Sequence, residues 1–143
     1  KINDFKEFLF SKFAKSGLSN TTNKNIYVDS IISASALNND FFDKVDELAP
    51  FGSGNSEPKF IVENVKIVNS QIVGEKHLKV ILCDRNGKII NGISFNAIGT
   101  NLEGYLNKKS HKMINILGKM SSNNWKGKRN IEFIIDDISV IKD

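Results

Sequence analysis

The sequence predicts a mainly β chain with an α+β N-terminal part: a five-stranded OB-fold Greek-key barrel preceded by a short helix-strand-helix segment. Three observations predict it. Beyond residue 59 the chain divides into five strand-like runs, several alternating apolar and polar residues as a half-buried strand does. One stretch of helical spacing interrupts them after the third run, giving the order β-β-β-α-β-β. Between the second and third runs stands Asp84-Arg85-Asn86-Gly87, a hairpin signal in which Asn-Gly supplies positive φ.

Residues 4–16 read as a helix. Asp4 and Glu7 match a capping box, Phe5, Phe8, Leu9 and Phe13 recur at helical spacing, and Gly17 is a plausible stop. Residues 18–25 are polar and loop-like. Ile26 to Ile32 suits a strand. A second helix is predicted over about 38–48, capped by Asn38 or Asn39, with Phe41, Phe42, Val45 and Leu48 on its apolar side. These elements hold too small a core to make a domain of their own.

The only two prolines, Pro50 and Pro58, then bracket a turn. Pro50 ends the helix, Gly52 and Gly54 permit positive φ, and Asn55 tolerates it. Pro50, Phe51, Gly52, Gly54 and Asn55 therefore form a junction turn over 50–58, either as a rigid corner or as a nest of backbone N–H groups able to hold a phosphate.

The first barrel strand runs from Phe60 to about Val73, with a phase break at Glu63-Asn64 that predicts a bulge. The second is Lys76–Cys83, with Leu78, Val80 and Leu82 toward the core and His77 and Lys79 outward. The third is Lys88–Phe95, and the same alternation sends Ile89, Ile93 and Phe95 inward and Gly92 and Ser94 outward. A short helix lies within 97–108. The fourth strand is Lys112–Met120, residues 121–130 form a polar loop, and the fifth strand runs from Ile131 to about Ile141.

The 143 residues are 40% hydrophobic and 25% charged, close to globular averages. No apolar run approaches the roughly 20 residues of a membrane span. No signal peptide is visible, and Cys83 is the single cysteine, so no intrachain disulfide forms; we expect a cytoplasmic location. The chain opens on Lys1 without an initiator methionine, and we expect a fragment of a longer protein. Net charge is +4 but unevenly spread. Residues 1–58 carry 6 Lys/Arg against 8 Asp/Glu, and residues 59–143 carry 14 against 8. A basic barrel favours a polyanionic partner.

OB-folds bind oligonucleotides across their second and third strands, flanked by the loops joining strands 1–2 and 4–5. The candidate contacts fall there: Lys76, His77 and Lys79 on the second strand, Lys119 on the fourth, and Trp125, Lys126, Lys128 and Arg129 in the polar loop. An aromatic face stacks a base and neighbouring cations track phosphates. The competing readings are a Trp125 folded back as a lid on the barrel and a solvated face for the lysines. No catalytic residue is assigned. His77, His111 and Cys83 lack metal-ligand spacing. Asp136 and Asp137 face opposite ways in a strand and mark a bulge or strand-end polar contacts.

Several fragments carry a family resemblance. Leu48-Ala49-Pro50-Phe51-Gly52-Ser53-Gly54-Asn55 with Glu57-Pro58-Lys59-Phe60, then Val73-Gly74-Glu75-Lys76-His77-Leu78-Lys79-Val80, resemble the RecJ family of single-stranded-DNA-specific exonucleases. Ile93-Ser94-Phe95, Trp125-Lys126-Gly127 and Ile134-Ile135-Asp136-Asp137-Ile138 add weaker echoes, and together they cover roughly residues 37–141. Ser56 stands where a proline is expected. The resemblance implies that residues 1–49 are the tail of a preceding DHHA1-like domain and 59–143 an OB-fold that binds single-stranded DNA. It implies a parent enzyme that degrades single-stranded DNA from the 5′ end in repair and recombination. The Mn²⁺ or Mg²⁺ of that parent belongs to an upstream catalytic domain, so this fragment carries no cofactor and is not itself catalytic. Implied partners are single-stranded DNA, the upstream catalytic domain and repair proteins, with no membrane. A protein-binding or RNA-binding OB module is the alternative.

Overall fold

The computed structural model describes residues 28–107 and 111–141. The helix expected over 4–16 and the first residues of the strand expected from Ile26 lie outside them. The described elements are β1 (Ser30–Ile32), a 3₁₀ turn (Ala34–Ala36), α1 (Asn39–Asp46), β2 (Phe60–Val73), β3 (His77–Asp84), β4 (Ile89–Ser94), α2 (Asn101–Leu106), β5 (Ile114–Trp125) and β6 (Lys128–Val140).

The sheet order is β1-β2-β3-β4-β6-β5, and a further pairing of β2 with β5 closes the last five strands into a barrel. All ladders are antiparallel except β4–β6 and the added β1–β2. This is the OB-fold, with α2 between its third and fourth strands. No helix among the described residues is long and apolar enough to cross a membrane.

β2 keeps its inward phase by bending. Phe60 and Val62 face the core, Asn64 turns to φ 59°, and Val65 and Ile67 then face the core on the opposite parity. The pairing with β5 shifts register across the same residues, and Asn64 N–H donates to Asn115 Oδ1 at 3.1 Å. The bulge expected at Glu63-Asn64 is present. A second bulge lies on β6. Leu117 pairs with Asp137 and Gly118 with Ile135, so Asp136 is the extra residue; it points out to Lys59 at 3.2 Å. Asp137 Oδ1 accepts from Ile138 N–H at 2.8 Å.

Partial burial pushes the Asp137 carboxyl above its ordinary pKa; the Ile138 N–H opposes the shift and neighbouring Asp136 adds to it. The folded chain therefore holds this proton more tightly than the unfolded chain. Ionised Asp137 costs stability above its folded pKa, and the cost is absent below the unfolded value near about 4. Asp137→Asn, which keeps the acceptor, is expected to raise the melting temperature at pH 7. The gain should shrink as pH falls toward about 4, and melts across pH 3–8 measure it.

Two expectations are corrected. Residues 121–130 are not a loop: β5 and β6 stay paired out to Trp125 and Lys128, around a two-residue turn of Lys126 (φ 51°) and Gly127 (φ 73°). Two positive φ values give the tight hairpin turn whose twist matches paired strands, and backbone pairing proceeds regardless of the polar side chains. β4 has the opposite phase from the one expected. Ile90, Gly92 and Ser94 face the core, while Ile89 and Phe95 are exposed. The small residues do not make room on the outer surface; a Cβ on Gly92 would come within 3.1–3.2 Å of Ile135, Val80 and Leu82. Ser94 donates to the Ile135 carbonyl at 3.1 Å.

The apolar faces of residues 28–48 are partly covered by the barrel, while Leu48 stays 59% exposed. Ala34 and Leu37 are buried in the barrel core, and Phe41 meets Phe60 edge-on at 5.6 Å. Val28 joins Ile61 and Leu117 in a small outer cluster. Among the described residues, the strand expected up to Ile32 comprises Ser30–Ile32 and runs parallel to Phe60–Val62. Asn38 caps α1, accepting from Phe41 N–H at 2.9 Å, a contact of about 1 kcal/mol.

Candidate nucleic-acid interface

Strand pleating fixes which side chains share the outer face of the barrel. On β3 the outward residues are His77, Lys79, Ile81 and Cys83, because Leu78, Val80 and Leu82 fill the core. The register sets Lys79 opposite Ile93, Ile81 opposite Asn91 and Cys83 opposite Ile89. β6 continues the surface, with Asn91 opposite Glu132 and Ile93 opposite Ile134. Along the hairpin, Ser121 faces Glu132, Asn123 faces Asn130 and Trp125 faces Lys128. Period-two alternation places all of these on one continuous face. Trp125 and Lys128 thus belong to the same surface as Lys79.

Trp125 is 66% exposed, so it is no lid on the barrel. Lys126 forms the turn beside it, and Lys126 and Lys128 are both exposed. Arg129 follows the opposite parity and points to α1. Its Nη2 reaches Asp43 Oδ1 at 2.6 Å and the Asn39 carbonyl at 3.4 Å, and the guanidinium lies 5.1 Å from the Phe42 ring centre. Arg129 therefore docks the hairpin on α1 rather than lining the outer face. Lys119 is engaged with Glu57 at 3.0 Å.

At the opposite end of the face, Lys76 is exposed in the turn between β2 and β3, where Gly74 and Glu75 both adopt positive φ. His77 Nδ1 accepts from Asn96 N–H at 2.9 Å, and its ring meets Phe95 edge-on at 5.3 Å. Lys79 is exposed and lies 3.7 Å from the half-buried Glu132 carboxylate. Glu132 is the carboxylate set among these cations. Sequence alternation does not single out Phe95, because it assigns β4 the other phase. The ladder Leu82–Ile90, Val80–Gly92, Leu78–Ser94 carries the correct phase.

The junction turn is closed from within. Gly52 and Asn55 exchange backbone hydrogen bonds at 2.9 and 3.1 Å, and Gly54 takes φ 89°. Asn55 Nδ2 donates to the carbonyls of Leu48 and Pro50 at 2.8 and 2.9 Å. Phe51 is half-buried and Pro50 exposed. The Gly52 and Asn55 N–H groups are thus spent within the turn. Among the described residues no group of three or more His, Cys, Asp or Glu side chains is gathered to hold a metal ion.

No curated protein sequence matches the chain. Among solved structures, it is similar to RecJ from Thermus thermophilus in complex with Mn²⁺, at TM-score 0.59 and 19% identity over 82% of this chain. It is also similar to the Mg²⁺ complex of that RecJ, at TM-score 0.56 and 21% identity over 80% of this chain. In both cases the match spans only 16% of the RecJ chain. At such identities the likeness concerns the fold. A family model described as the RecJ OB domain matches residues 28–137, taking in β1 and α1 along with the barrel, and by that match the chain belongs to the RecJ OB-domain family.

Proposed function

We propose that this chain is the single-stranded-DNA grip of a RecJ-like 5′–3′ exonuclease acting in cytoplasmic DNA repair and recombination, and that it is not itself catalytic. Metal-dependent hydrolysis with Mn²⁺ or Mg²⁺ would belong to the upstream catalytic domain, whose tail would be residues 1–49, with the part from Val28 onward packed against the barrel. That domain and repair proteins would be the protein partners. The observation that carries the reading is the register placing Trp125 and Lys128 on the same outer face as Lys79. An exposed indole supplies a sequence-tolerant stacking surface, and Lys76, Lys79, Lys126 and Lys128 supply charge for the phosphates. Arg129 and Lys119 act from their ion pairs, holding the hairpin and the barrel wall in place.

Stacking and charge leave different signatures. Trp125→Ala is expected to weaken binding of a single-stranded oligonucleotide by about 1–3 kcal/mol with its salt slope nearly unchanged. Lys126→Ala with Lys128→Ala is expected to weaken binding and flatten the slope by roughly 0.7 for each phosphate no longer neutralised. Anisotropy titrations of the 143-residue chain at several salt concentrations, with DNA and RNA of equal sequence in competition, test this. Folded variants that bind as the parent does would remove the hairpin from the grip. Preference for RNA would move the reading to an RNA-binding module.

A further inference from the structure

We infer that Phe95, braced by His77, is a second base-stacking platform at the far end of the face from Trp125; this rests on the single-stranded-DNA reading above. Phe95 directly follows β4, outside the barrel, and is 51% exposed. A half-exposed phenylalanine leaves apolar ring surface in water with a face available for a base. The ring is held in place. His77 lies against it at 5.3 Å and 78°, and the Asn96 N–H fixes the His77 imidazole through Nδ1. Asn96 is itself set at φ 55°, and Ile98 N–H ties the same loop to the Lys76 carbonyl at 3.2 Å. With Nδ1 occupied as an acceptor, neutral His77 carries its proton on Nε2, a donor beside the platform. Lys79, opposite Ile93 in the ladder, brings a cation two residues from Phe95, with Glu132 as its neighbour.

The register also gives the spacing. Trp125 pairs with Lys128, and Phe95 lies two residues beyond the Ile93–Ile134 pair. The two aromatics are thus separated by about eight residues along the sheet, roughly 26 Å at about 3.3 Å per residue. A strand stacked at about 3.4 Å per nucleotide needs about eight nucleotides to reach both, inside the range of about 4–16 found for OB-folds. A short oligonucleotide engages one platform at a time; a longer one engages both.

The test compares 4- and 12-nucleotide oligothymidines on the 143-residue chain and its Phe95→Ala, Phe95→Leu, Phe95→Trp and Trp125→Ala variants, each checked by thermal melting. Phe95→Ala is expected to lower affinity for the 12-mer about 5- to 150-fold, with little change for the 4-mer and no change in salt slope. Phe95→Trp should bind as the parent does, whereas Phe95→Leu, which keeps apolar area without an aromatic face, should behave like Phe95→Ala. If Trp125→Ala weakens the 12-mer but Phe95→Ala does not, the platform is overturned and the single-stranded-DNA reading stands. A Phe95→Leu variant that binds as tightly as the parent overturns stacking at this position. If the parent binds neither oligonucleotide at low salt, the functional reading fails and takes the platform with it.

Discussion

Gly118→Ala is expected to cost about 3 kcal/mol or more and to leave the barrel largely unfolded in mild denaturant. Gly118 sits where β5 crosses the β6 bulge, paired with both Phe60 and Ile135. A Cβ added there would overlap the Ile134 carbonyl oxygen, lie 2.8 Å from that carbonyl carbon and press on the Phe133 ring at 3.1 Å. The obstacle is backbone within a ladder, which cannot swing aside as a side-chain tip does. Overpacking in cores typically costs about 1–3 kcal/mol; displacing two paired strands belongs at or above the top of that range. Gly92→Ala is the control, since its new Cβ would meet only side-chain ends. Urea unfolding followed by circular dichroism measures both. A Gly118→Ala variant with the parent's midpoint would contradict the close approach of β5 and β6.

Phe133→Ala is expected to destabilise by about 3–5 kcal/mol. Phe133 is 0% exposed and stands first by size among the fully buried side chains of the described residues. It belongs to the same core as Met120, Phe60 and the α1 residues Phe41 and Phe42. Its loss would open a cavity under both the hairpin base and α1. Trp125 should respond in the opposite way. Trp125→Ala should leave the unfolding midpoint close to the parent's while weakening oligonucleotide binding, and Phe133→Ala should lower the midpoint steeply. Paired denaturation and binding measurements distinguish the two kinds of aromatic residue.

The strand plan was legible because its signals are local. Phe60–Val73, the Glu63-Asn64 break, the inward triad Leu78, Val80 and Leu82, and the Asn38 cap all follow from spacing within one element. The errors arise where spacing is ambiguous or partners are distant. Ile89 and Ile90 are both apolar, so alternation alone fits either phase of β4; pairing with β3 decides it. Ser121 to Asn124 have loop-like side chains, yet the ladder needs only backbone groups and a turn, which Lys126-Gly127 provides. Arg129 reads as a phosphate ligand beside two lysines, but its carboxylate partner Asp43 is 86 residues away in sequence. No local pattern reveals that pair. The placement of Ala34 and Leu37 inside the barrel is likewise a tertiary fact.

The alternation of Lys128 and Arg129 gives β6 two audiences. One residue faces the open surface and the next is seated on α1, immediately before the junction turn. A ligand that shifted the hairpin would also shift the seat of Arg129 on Asp43 and Phe42, and any such linkage would act equally in both directions. The coupling needs no message passed through the core, because adjacent residues of one strand share a backbone. Ligand binding on the outer face and the packing of α1 would thus be linked through one strand rather than through separate parts of the fold.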